Sequence, residues 1–173
     1  LALGLYDTLT VGDYIVYYDK NGLWHDVDNS GVGFNAMIHD VVQGINGDII
    51  IDGNFTNAGD VAEADYLCKW TGTAIEALTA SSFNSHVYAL AVDAEGNIYI
   101  GGNFTDAGDT NGDYIVKCTS EGVLSSLSTG ADDIVNAIGI DPKTGYVYIG
   151  GEFGSVGNEA DAGDCNGVAY WDG

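Results

Sequence analysis

Hydrophobic residues in this chain gather in short runs separated by Gly, Asn, Asp and Ser. Around the middle they read DYLCKW, AIEAL, VYALAV and NIYIGGNF. Runs of this length, each closed by turn-forming residues, predict antiparallel strands joined by hairpins. VYALAV is apolar on both faces, with Val87, Ala89 and Ala91 on one and Tyr88, Leu90 and Val92 on the other, so a strand covered from both sides is expected there. The links DAEGN at 93–97 and DPKTG at 141–145 place Gly where a positive φ is tolerated and predict tight hairpins. Helical periodicity is absent. With 26 glycines and a single proline, Pro142 in a turn, the pattern is that of an all-β chain.

The strand pattern recurs. IIIDGNFTNAGD, IYIGGNFTDAGD and VYIGGEFGSVGN end on phrases whose phenylalanines, Phe55, Phe104 and Phe153, are 49 residues apart. DYIVYYD, DYLCKWT and DYIVKCT form a second recurring phrase, and GVAYWDG begins another. A repeat near 50 residues built of short strands predicts β-propeller blades. The expected architecture is three four-stranded antiparallel repeats at 13–64, 65–112 and 113–166, with partial strands at 1–12 and 167–173, making an incomplete ring in one chain. Gly4, Tyr6 and Gly12 fall near the Gly102, Phe104 and Gly108 positions, so the two ends are candidates to pair. Closed propellers usually have about four to eight blades. The chain is therefore expected either to belong to a larger ring or to close by self-association, with two copies as the simplest case. The pairs Gly101-Gly102 and Gly150-Gly151 are expected to make room for a large aromatic side chain, with Trp24, Trp70, Trp171 and the nearby phenylalanines as candidates. The first repeat departs from the others. It has Asp52-Gly53 at the double glycine and Asp40 where Ala89 and Ala137 stand, which marks it as the specialised unit.

Charge narrows the partners. Four Lys and Arg face 26 Asp and Glu, a formal net charge of −22, so nucleic-acid backbones and anionic lipid surfaces are repelled. Apolar residues make up 46% of the chain, enough for a core. Cys68, Cys118 and Cys165 take the place of apolar strand residues rather than one recurring position, which predicts free thiols over a disulfide framework or a zinc site. No apolar stretch reaches the roughly 18 residues of a membrane-spanning helix. LALGLYDTLTVG lacks the length and basic residues of a secretory leader, and the only Met is Met37, so the chain is expected to be processed or cut from something longer.

Candidate chemistry is sparse. Asp106, Asp109, Asn111 and Asp113 alternate oxygen-bearing side chains with small residues, the kind of cluster that calcium takes. Related acids recur at Asp60, Glu63 and Asp65 and at Glu159, Asp161 and Asp164. The spacing lacks the terminal Glu of an EF-hand loop, and turn initiation accounts for the same residues, so the turn reading is favoured. Asn54-Phe-Thr56 and Asn103-Phe-Thr105 match the N-glycosylation pattern, with turn chemistry again preferred. His25, His39 and His86 occupy different places in the repeat and lie near no nucleophile motif. Gly101-Gly102-Asn103 opens no helix, which excludes a phosphate loop.

The double glycine after an apolar strand, followed by an aromatic strand and a Trp-containing hairpin, resembles kelch-type propeller blades. GGNFT-x-AGD and ADYLxKW phrases are also similar to repeats of bacterial surface and phage tail proteins. The resemblance covers about residues 13–173 and implies a fold rather than an activity. No catalytic residue carries over from it. The expected function is a non-enzymatic structural or binding module of an extracellular or virion surface protein, mediating assembly or attachment to a protein or a glycan, with Tyr114 and Tyr170 as candidate anchors. Two alternatives stand beside it: a glycoside hydrolase using carboxylates around the channel, and a structural protomer of a fibre or shell.

Overall fold

A computed structural model describes residues 15–27, 33–108, 110–157 and 165–173. A first hairpin pairs β1 (Val16–Tyr18) with β2 (Trp24–Asp26). β3 (Ile38–Gln43), β4 (Ile49–Gly53), β5 (Leu67–Trp70) and β6 (Ile75–Glu76) form a four-stranded sheet in sequence order. The next sheet repeats the plan with β7 (Val87–Val92), β8 (Ile98–Gly102), β9 (Ile115–Cys118) and β10 (Leu124–Ser126). The last has three strands, β11 (Val135–Ile140), β12 (Val147–Gly151) and β13 (Val168–Trp171). The chain is all-β, with four antiparallel sheets that do not close on one another. The sheets are offset from the phrases of the sequence. The expected unit boundaries at 64/65 and 112/113 fall between β4 and β5 and between β8 and β9, inside sheets. Hairpin pairing, rather than the order of the phrases, decides where a sheet begins. The expectations placed on residues 1–12 lie outside the described residues, whereas 167–173 supplies β13, the third strand of the last sheet.

Each four-stranded sheet is held by the same local bonds. Both predicted hairpins form: Asp93 N donates to Asn97 O at 2.9 Å, and Asp141 N to Tyr146 O at 3.0 Å. The opening strand of each large sheet carries a bulge at one place, between Ile38 and Val41, Val87 and Ala89, and Val135 and Ala137. A bulge bends and twists its strand. Beyond the third bulge, β11 packs against β7, and β7 packs against β3. β7 thus runs between two neighbours, as its doubly apolar sequence requires.

Three apolar layers separate the four sheets. Ile51, Phe55 and Cys68 face the first hairpin; Ile50, Leu67, Val87, Ile100, Phe104 and Val116 fill the layer between the two four-stranded sheets; Tyr99, Ile115, Val135, Val147 and Phe153 fill the last. Ile50 and Ile51 point to different layers, as do Tyr99 and Ile100, which is the two-residue period of a strand sandwiched on both faces. Phe55, Phe104 and Phe153 are nearly inaccessible. The first two meet a second ring edge-on, Phe34 at 4.8 Å and Phe83 at 4.7 Å between centroids.

The double glycine does not serve an aromatic ring first. A Cβ on Gly53, Gly102 or Gly151 would strike the carbonyl oxygen of Met37, His86 or Ile134 on the neighbouring strand, so backbone proximity dictates the second glycine; the Phe104 ring is the next neighbour of Gly102. A Cβ on Gly101 would lie 2.7 Å from Val135 Cγ1 of the next sheet, and aliphatic Val135 is the filler there. Cys68, Cys118 and Cys165 are free, the first two buried.

Candidate functional site

The acidic loops form around hydrogen bonds that start in the sequence phrases themselves. Asp113 Oδ1 accepts from Asp106 N at 2.8 Å, and its counterpart Asp65 Oδ1 accepts from Asn57 N at 2.7 Å. Asp106 is exposed and Asp113 half-buried, Asn111 is exposed, and Asp109 lies outside the described residues, as do Glu159, Asp161 and Asp164. Among the described residues no three His, Cys, Asp or Glu side chains converge as a metal centre requires. Turn chemistry also absorbs the Asn-Phe-Thr phrases. Thr56 N donates to Asn35 Oδ1 at 3.0 Å and Thr105 N to Asn84 Oδ1 at 3.1 Å, while both asparagine amides reach the threonine hydroxyls. Asp132 takes the same place in the last sheet, accepting from Gly154 N and Ser155 N, and these bonds hold its carboxyl below the usual range.

The first repeat's two departures meet. Asp52 is fully buried, and its Oδ1 accepts from Asp40 N at 2.6 Å. Asp40 Oδ2 in turn accepts from Leu90 N of β7 at 3.2 Å, tying the two four-stranded sheets together. Burial, with a smaller push from the Asp40 charge, raises the Asp52 carboxyl to about 7. Its Oδ2 has no hydrogen-bond partner. A raised carboxyl beside an apolar wall is what a general acid needs, but this one is shut off from solvent. Close by, His39 donates through Nδ1 to Val87 O at 2.7 Å. Its ring continues into an imidazole and tyrosine ladder, His39 to Tyr88 at 5.0 Å, Tyr88 to His86 at 6.1 Å and His86 to Tyr66 at 5.3 Å. His25 lies apart, in β2, bonded to Asp19.

The outer surface of the last sheet is different again. Tyr148 and Tyr170 are cross-strand partners with ring centroids 5.7 Å apart, and Tyr146 stacks on Tyr170 at 5.4 Å and 12°. Val168 stands exposed beside them. Position by position this surface matches the face of the β7–β10 sheet that β11 covers: Ala137 for Ala89, Tyr148 for Tyr99, Gly150 for Gly101. Tyr99 is 3% exposed and Tyr148 44%. Of the two candidate anchors, Tyr170 belongs to this open surface. Tyr114 does not: it packs against the last apolar layer, its backbone held by Phe104 O.

No protein-family model matches the chain, and no curated protein matches it. The internal repeat is therefore its own template. Repeat comparison singled out Asp40 and Asp52 but gave no sign that they bond to each other, because the contact depends on the bulge in β3. The tyrosine surface was readable only through Tyr170.

Proposed function

We propose that the chain is a non-catalytic module of β-propeller type, in which the sheets act as blades and the open face of the last sheet takes a further blade. Such a module suits an extracellular or virion surface protein, where it would serve assembly or attachment. The observation that carries this reading is the match between the open face of β11–β13 and the covered face of β7–β10. An aromatic, glycine-notched surface that is filled at one place in the molecule is left bare at another. Apolar patches of this kind on a soluble domain mark interaction sites. The blade arrangement is supported by the packing of β3, β7 and β11 on one another at their bulges. A bracing role for the Asp40–Asp52 pair is supported by its burial, and the acidic, solvated remainder suits an exposed protein.

Sedimentation equilibrium of the chain and of Tyr148→Lys tests the assembly reading. The natural chain should associate with rising concentration, and a lysine at the centre of the open face should hold it monomeric without lowering its melting temperature. A natural chain that stays monomeric at millimolar concentration, and that retains no protein or glycan in pull-down and array experiments, overturns the proposal.

A further inference from the structure

The edge of the last sheet is a different surface from its face, and it too has a filled counterpart. In the first four-stranded sheet Ile75 of β6 sits opposite Trp70, with its Cβ 3.0 Å from where a Cβ on Gly59 would stand. In the second, Leu124 of β10 sits opposite Cys118, with its Cβ 2.7 Å from the corresponding point on Gly108. Gly59 and Gly108 belong to the Ala-Gly-Asp loops that follow Phe55 and Phe104, so each loop glycine is a seat for the first apolar residue of the outermost strand. The equivalent glycine of the last sheet is Gly157, which follows Val156 where the others follow Ala58 and Ala107. Its nearest neighbour is Ser128 Oγ at 3.7 Å. Among the described residues no strand pairs with the outer edge of β13. Beside that edge is a cavity of about 520 Å³, lined by Leu127, Val147, Ile149, Val156, Gly157 and Trp171 among others.

We infer that this edge and cavity are an acceptor site for an extended peptide segment of another protein, bearing the pattern Ile/Leu-x-x-Leu. The segment adds to β13 as an antiparallel fourth strand, the way β6 adds to β5 and β10 to β9. Its first apolar residue stands opposite Trp171 and drops into the cavity over Gly157, as Ile75 and Leu124 do over Gly59 and Gly108. Its fourth residue turns to the other face of the sheet, where Leu78 and Leu127 are buried in their own layers. The second position sets a preference. Glu76 occupies it in β6 and pairs with Lys69 at 3.2 Å, whereas the open edge offers Tyr170 at the Lys69 place. With a net charge of −22 and no cation at that position, the site disfavours an acidic residue there and favours a neutral segment with basic flanks.

The chain's own outermost strand supplies the probe. A labelled peptide of residues 122–129, GVLSSLST followed by two lysines, is titrated into the full chain and followed by fluorescence anisotropy. Saturable binding is expected, weakened at least tenfold when the leucine at the Leu124 place is changed to aspartate, and weakened several-fold when the serine after it is changed to glutamate. Val156→Asp in the receptor should abolish binding while the melting temperature confirms a folded chain. Both peptide substitutions read out on the natural receptor, so the test survives a receptor variant that fails to fold. Equal binding of the natural and aspartate peptides overturns the inference, as does absence of binding. Self-association that Val156→Asp abolishes, with no uptake of peptide, assigns the edge to a second copy and also overturns it. A chain that associates through Tyr148 yet ignores the peptide keeps the stacking reading and loses this one.

Discussion

The β3–β6 and β7–β10 sheets are two copies of one plan that solve their contact with the next sheet by different means. In β8 the residue before the invariant-geometry glycine is Gly101, and a valine from the next sheet seats itself there. In β4 it is Asp52, and the seat is replaced by a carboxyl that bonds to the backbone of Asp40, whose own carboxyl reaches Leu90 N. One contact is dispersion and close fit, which depends little on pH. The other is a buried polar chain with one oxygen unpartnered, which depends on protonation. A repeat thus tolerates a change of chemistry at the first glycine because only a side chain faces it, and tolerates none at the second because a carbonyl faces it.

The largest way to test the sameness of the plan is to empty both sheets of their phenylalanines. Phe55→Ala and Phe104→Ala should each cost about 3–5 kcal/mol, the range for a buried aromatic, by urea denaturation. Costs differing by more than about 2 kcal/mol would show that the two cores are not equivalent.

Protonation should separate the sheets. The Asp52 pKa lies near 7 in the folded chain against 3.8 as its model value. A raised acid binds more protons folded than unfolded between those values, so its contribution to stability is most favourable below about pH 4, falls as pH rises, and levels off above about pH 7. Three pKa steps correspond to about 4 kcal/mol. The stability difference between the natural chain and Asp52→Asn, measured from pH 4 to 8, should therefore move steadily against the natural chain by up to that amount. A difference that is flat with pH refutes the buried-carboxyl account. The difference is needed because Asp19, held near 2 by its bonds to the 19–25 turn and to His25, and other lowered carboxylates work in the opposite direction at the acid end.

Glycine substitutions sharpen the contrast further. Gly101→Ala meets Val135 and should cost about 1–3 kcal/mol, the usual penalty for overpacking. Gly150→Ala has no heavy atom closer than 3.8 Å and should leave thermal stability unchanged. If the open face takes a further sheet, the same change should weaken self-association. Smaller still is Lys69→Ala, which removes a half-exposed ion pair with Glu76 and should cost no more than about 1 kcal/mol, an effect that salt diminishes.

Much of the fold was legible in the chain. Short runs bounded by Gly and Asp named the strands, and the recurrence of Phe55, Phe104 and Phe153 named the repeat, because strand pairing needs turn residues at fixed places and a buried ring needs the same niche each time. The site was less legible. Asp40 and Asp52 stood out as departures, yet their bond required the bulge to bring the backbone of one to the carboxyl of the other. The acidic loop at 106–113 read equally as ligands or as turns, and the Asp113 bond to Asp106 N assigns one carboxylate to the turn.

Sequence alone determined that this protein is a meander of short strands with a periodic core, since apolar alternation and turn chemistry act between neighbours along the chain. Only the tertiary structure decided which strands share a sheet, that the sheets begin half a repeat away from the phrases, and that one face and one edge at β11–β13 stay bare. Those outcomes depend on which surfaces meet across long separations in the chain, and no local residue preference records whether a surface of this kind has found its partner.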